Sequence, residues 1–148
     1  MRERKPKPLG LVNLWNTTMA PEDARFSAII CDDIRLEANG KFFIIGAYLD
    51  NLGAFEFPVD DTFCCVFRAE NLADSIKKIS IIMRHIGFEH NEKEYDISDR
   101  GDSTIAMMLT QVPVRANQPG EFFVEVRVDG SDPIVVERLL VTDANKAE

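Results

Sequence analysis

The sequence predicts an all-β protein: an antiparallel two-sheet β-sandwich of the immunoglobulin or C2-like kind, with about eight strands and an extended N-terminal arm. Three observations carry this. Asn39-Gly40 lies between two apolar runs within Phe26 to Leu52, the strongest short-range signal for a hairpin. Glu121 to Val128 alternates, with Phe122, Val124, Val126 and Val128 on one face and Glu125 and Arg127 on the other, and Asp129-Gly130-Ser131-Asp132 follows as a turn. Short apolar segments recur between turn signals, and no stretch reads as a long amphipathic helix.

In chain order, Met1 to Pro8 is a basic, proline-punctuated arm whose Lys-Pro-Lys-Pro prefers extended backbone. Leu9 to Trp15 is apolar and holds the only Trp, so it is expected to dock on something. The long hairpin comes next. A type I′ turn at Asn39-Gly40 sets Leu36 opposite Phe43, Ile34 opposite Ile45 and Asp32 opposite Ala47. One face then reads Ile30, Asp32, Ile34, Leu36, Phe43, Ile45, Ala47 and Leu49. A three-residue loop with Gly40 in a bulge shifts the partners by one, and the apolar run Phe42 to Ile45 accepts either register. The return strand is apolar on both faces, the pattern of a central strand.

Gly53 to Asp61 reads as a connection, and Thr62 to Ala69 as a strand. Ile76 to Ile86 is a strand with Ile79, Ile81 and Met83 on one face. A short strand at Glu94 to Ile97 follows a polar turn, and Thr104 to Val114 is a strand broken near its end by Pro113. Pro133 to Thr142 returns beside Glu121 to Val128. The domains expected are an arm at 1–24, a sandwich at 25–143 and a polar tail at 144–148.

The 148 residues carry a net charge of −8, with 45% apolar and 28% charged side chains. Four basic residues and one acidic residue precede Pro8, so the arm holds +3 and the remainder −11. An acidic body disfavours nucleic acid, except through the basic arm. The longest apolar run, Phe42 to Leu49, is too short for a membrane helix, and the start lacks a convincing signal-peptide cleavage site. A cytoplasmic or virion setting is expected. Cys31, Cys64 and Cys65 are odd in number and form no C-x-x-C, so they read as small buried residues.

Cys31 to Tyr48, CDDIRLEANGKFFIIGAY, resembles the opening of a group of small bacterial and phage β-sandwich proteins known only as a domain of unknown function. The matching features are Cys31, the acidic pair Asp32 and Asp33, Arg35, Gly40-Lys41, and the return Ile45, Gly46 and Tyr48. The likeness extends in order and spacing over roughly Phe26 to Val141. It implies the fold and brings no catalytic residues.

No catalytic, cofactor or metal signature is present: there is no H-E-x-x-H, no G-x-S-x-G and no P-loop. Asp32 stands out because the period places it on the apolar face, where a carboxylate needs a partner. Arg35 and Glu37 read as solvated. Arg100-Gly101-Asp102 spells an adhesion tripeptide in an unsuitable context, and the acidic loops lack calcium-loop spacing. The arm is the better clue to use. Arg2, Arg4, Lys5 and Lys7 form its basic tip, and Leu9, Leu11, Leu14 and Trp15 its apolar anchor. The expected function is a non-enzymatic module that assembles with other protein subunits through this arm, as a homo-oligomer or on a larger particle, specifically a phage capsid- or tail-associated protein. A soluble bacterial binding protein is the alternative, and an enzyme with a non-motif site the third reading.

Overall fold

The structure, a computed structural model, describes residues 18–19, 23–85 and 91–146. It is a two-sheet β-sandwich, as the sequence predicts, with ten strands among the described residues. They are β1 (Thr18–Met19), β2 (Arg25–Leu36), β3 (Phe42–Tyr48), β4 (Asn51–Ala54), β5 (Val59–Glu70), β6 (Lys78–His85), β7 (Asn91–Asp96), β8 (Ile105–Ala116), β9 (Gly120–Val128) and β10 (Ile134–Asp143). A 3-10 turn at Ala144–Lys146 follows.

One sheet runs β1-β2-β5-β8, with β3 paired to the far end of β2, and the other runs β4-β10-β9-β6-β7. The core lies between them. Phe26, Ala28 and Ile30 of β2 and Cys65 and Phe67 of β5 meet Ile79, Ile81 and Met83 of β6 and Phe122, Val124 and Val126 of β9. The alternation read from Ile79 to Met83 and from Phe122 to Val126 therefore points inward as expected. Phe26 and Phe67 stack with ring centroids 6.1 Å apart.

Three expectations change. The segment after the first hairpin contains a strand as well as a connection: β4 pairs in parallel with β10, Leu52 beside Val141. Its Leu52 and Ala54 are buried, so four residues suffice to carry the chain from one sheet to the other. The sandwich is thus not wholly antiparallel. Secondly, β8 runs through Pro113, which sits opposite Thr62. It can do so because β8 is the edge of its sheet, where one side of the strand needs no donor. Thirdly, β3 is not a central strand; among the described residues it pairs only with β2.

Candidate functional site

The first hairpin turns on Glu37, Ala38, Asn39 and Gly40. Gly40 N donates to Glu37 O at 3.1 Å and Glu37 N to Lys41 O at 2.7 Å, with Gly40 at φ +82°. The Asn39 side chain accepts from Lys41 N at 3.0 Å. This is a three-residue loop with Gly40 in the left-handed region, not the type I′ turn. The register shifts by one accordingly: Leu36 pairs with Phe42, Arg35 with Phe43, Ile34 with Ile44 and Asp33 with Ile45. Phe42 and Ile44 thereby replace Phe43 and Ile45 on the face of Leu36 and Ile34.

Pairing of β2 with β5 stops at Cys31–Cys64. Beyond Cys31, β2 pairs only with β3, so the hairpin leaves the sheet as a two-stranded ribbon. The face that is core at Ile30 continues along this ribbon as Ile34, Leu36, Phe42 and Ile44, and it emerges into solvent. On this face Leu36 is 65% and Phe42 40% exposed, and on the opposite face Phe43 is 57% exposed. Ile45 and, just past β3, Leu49 are exposed too, as is Phe55 just past β4. On the other face Arg35 binds Asp33 at 3.1 Å in an exposed pair, which neutralises both. Arg35 is solvated as expected.

Asp32 sits at the base of the ribbon and is exposed, which corrects its expected burial. The apolar alternation continues past it, but the sandwich above that face does not. Its Oδ1 accepts the Tyr48 hydroxyl hydrogen at 2.5 Å. Its other oxygen occupies the space a side chain at Gly46 would fill: a Cβ there would lie 2.1 Å from Asp32 Oδ2. Gly46 is at φ +66°, where a side chain is costly in any case. The Tyr48 ring meets Phe63 edge-on at 5.4 Å and ties the ribbon to β5. Sequence reasoning missed this trio, although a lone glycine in an apolar strand is the usual mark of a bulge.

Burial, then the hydrogen bond to Asp32, then the charges of Asp32 and Asp61 push the Tyr48 phenol from 10.0 up to about 12. The folded chain therefore holds this proton more tightly than the unfolded one. The resulting stabilisation is complete below pH 10 and is lost as pH rises from 10 to about 12. In a Tyr95→Phe background, which leaves Tyr48 as the single tyrosine, tyrosinate absorbance is expected to rise near the upper end of that window. Asp32→Asn should bring it down. A midpoint unchanged by that substitution would contradict the arrangement.

Other chemistry-bearing residues serve the fold. All three cysteines are buried, as the sequence suggests. Cys31 faces Cys64 across β2 and β5, while Cys65 enters the core. Burial raises the Cys31 thiol to about 11 and Cys65 to about 12, so both are protonated at neutral pH. Arg100 is not displayed for adhesion. Its guanidinium donates to Ile76 O at 2.6 Å, Ile97 O at 3.0 Å and Ala73 O at 2.5 Å, closing the loops around β6 and β7. Asp129 accepts from Lys77 N and Lys78 N, and Asp96 from Ser98. Arg84 pairs with the buried Glu125 at 3.1 Å. Among the described residues no group of three or more His, Cys, Asp or Glu is placed to hold a metal ion. No helix there is long and apolar enough to cross a membrane.

A cleft of about 500 Å³ opens between β7 and β8, over Ile81, Met83, Tyr95, Met108 and Leu109. Neither Asp32 nor Arg84 nor His85 lines it. The arm residues Arg2, Arg4, Lys5, Lys7, Leu9, Leu11, Leu14 and Trp15 lie outside the described residues.

These features define a β-sandwich that carries a projecting apolar hairpin. A family-model comparison matches residues 27–137 to a family of unknown function (DUF6941), and the chain belongs to that family. The match covers β2 to the middle of β10, including the whole hairpin, and leaves the arm outside. No curated protein matches the sequence.

Proposed function

We propose that this protein is a non-enzymatic structural and interaction module that assembles with other protein subunits, using the β2–β3 hairpin as a docking surface in addition to its N-terminal arm. One observation carries the reading: the ribbon presents Leu36, Phe42, Phe43 and Ile45 to solvent, on a segment that contributes little to the core. Large exposed apolar groups gathered on both faces of one projecting ribbon support an interaction surface. Aromatic anchors of this kind supply most of the binding energy in protein interfaces. The basic arm adds a second contact, complementary to the acidic body of a neighbouring subunit. The specific setting we propose is a virion accessory role, and its support is the sequence likeness to a group with phage members.

Native mass spectrometry of the full chain tests this. The wild type is expected in complex with protein subunits, and a folded Phe42→Ser/Phe43→Ser variant to bind them at least about a hundredfold more weakly, since two aromatic anchors at about 2 kcal/mol each exceed that ratio. A variant that assembles as well as the wild type would overturn the hairpin's role. The cleft between β7 and β8, lined by Asn91, Lys93, Thr110 and Gln111 as well as by apolar side chains, favours a second reading, a small-ligand-binding protein, and ligand retained in that cleft during native spraying would favour it.

A further inference from the structure

Among the described residues the two sheets end in four edges, and three of them are protected. β7 carries Glu92, Lys93, Glu94 and Asp96. β8 carries Pro113 and a break in register at Gln111, which is at φ +56°. β4 is only four residues long. Charges, proline, irregularity and shortness are the devices that stop a sheet edge from recruiting another strand. The side of β2 beyond β1 ends in β3, which has no charge and no proline; its one irregularity is Gly46 at φ +66°, and Phe42 to Ile45 before it is an uninterrupted extended edge.

We infer that β3 is a strand-pairing edge whose occupant is β3 of a second copy, joined antiparallel about a two-fold axis. This rests on the interaction reading above and names its partner. The hydrogen-bonding sense follows from the turn. Glu37 and Lys41 form a hydrogen-bonded pair, so Arg35–Phe43 and Asp33–Ile45 are the next such pairs and Leu36–Phe42 and Ile34–Ile44 are not. The backbone groups of Phe42 and Ile44 therefore point away from β2, with no strand to receive them among the described residues.

Charge confines contact between two copies to this edge. Each chain carries −8, so two copies repel at most surfaces. The β3 edge is neutral, and the nearby Asp33 is already paired with Arg35. Antiparallel self-pairing also carries the Lys41 end of each strand toward the Asp50 end of the other, which places opposite charges at both ends of the joint. An isologous contact of this kind closes on itself and gives a dimer rather than a fibre.

Two substitutions at one position separate edge pairing from apolar contact. Ile44→Ala shortens the side chain and keeps the outward N–H. Ile44→Pro removes that N–H, and because Ile44 does not donate to β2, the hairpin keeps its ladder. Sedimentation velocity of the full chain over a concentration series is expected to show a wild-type dimer, a dimer weakened by about tenfold in Ile44→Ala, and a monomer throughout in Ile44→Pro. Circular dichroism and amide exchange of Arg35 and Asp33 establish that the proline variant retains its hairpin. If Ile44→Pro dimerises as well as Ile44→Ala, edge pairing is wrong while the hairpin remains an interaction surface. A wild type that stays monomeric at all concentrations would overturn the homotypic partner. The native-mass experiment would still decide whether the hairpin binds a different subunit.

Discussion

Phe67→Ala is expected to lower the free energy of unfolding by about 3–5 kcal/mol, the usual cost of removing a buried aromatic ring from a close-packed core. Phe67 is fully buried in the middle of β5, the strand that joins β2 to β8. Its loss removes the stacking on Phe26 and leaves a void that the two sheets cannot close without bending their ladders. The stability of a domain this size is about 5–15 kcal/mol, so the variant should unfold at markedly lower denaturant with an unchanged slope. Phe67→Leu should recover part of the loss. A cost below about 1 kcal/mol would mean that the sheets are less tightly packed than described.

The second large effect is expected at the ribbon's base. Gly46→Ala should destabilise by about 2–4 kcal/mol, from two separable causes: a side chain at positive φ and a collision with Asp32. The Cβ would sit 2.1 Å from Asp32 Oδ2. Asp32→Ala in the same chain should relieve the collision and leave the backbone term, so the double variant should be more stable than Gly46→Ala alone. Chemical denaturation of the four chains in this cycle measures the coupling. Additive effects would contradict the contact.

Much of the architecture was legible because alternation and turn chemistry are local properties. Phe122, Val124 and Val126 had to point one way whatever they packed against, and Asp129-Gly130 had to turn. The hairpin's register was less secure because Phe42 to Ile45 is apolar at every position, so both alignments bury or expose similar groups. What decides between them is the loop geometry at Gly40. The status of β3 was not legible at all, since a strand apolar on both faces suits a central position and an unprotected edge equally. Only the tertiary fact that β3 has β2 on one side and, among the described residues, no strand on the other separates the two. Asp32 was misplaced for the same reason: the period assigns a face, but it does not say how far the opposing sheet extends along it. β4 escaped because four residues with one glycine carry no periodicity.

The central claim is that the β3 edge and the apolar ribbon are covered by another protein subunit in the assembled state. Amide hydrogen exchange of Phe42 and Ile44 in the full chain tests it most directly, because these two N–H groups point outward from the hairpin while those of Phe43 and Ile45 belong to the β2 ladder. Slow exchange of Phe42 and Ile44 in the assembled protein, turning fast on dilution while Phe43 and Ile45 stay protected, is the predicted result. Fast exchange of Phe42 and Ile44 under every assembling condition would contradict it.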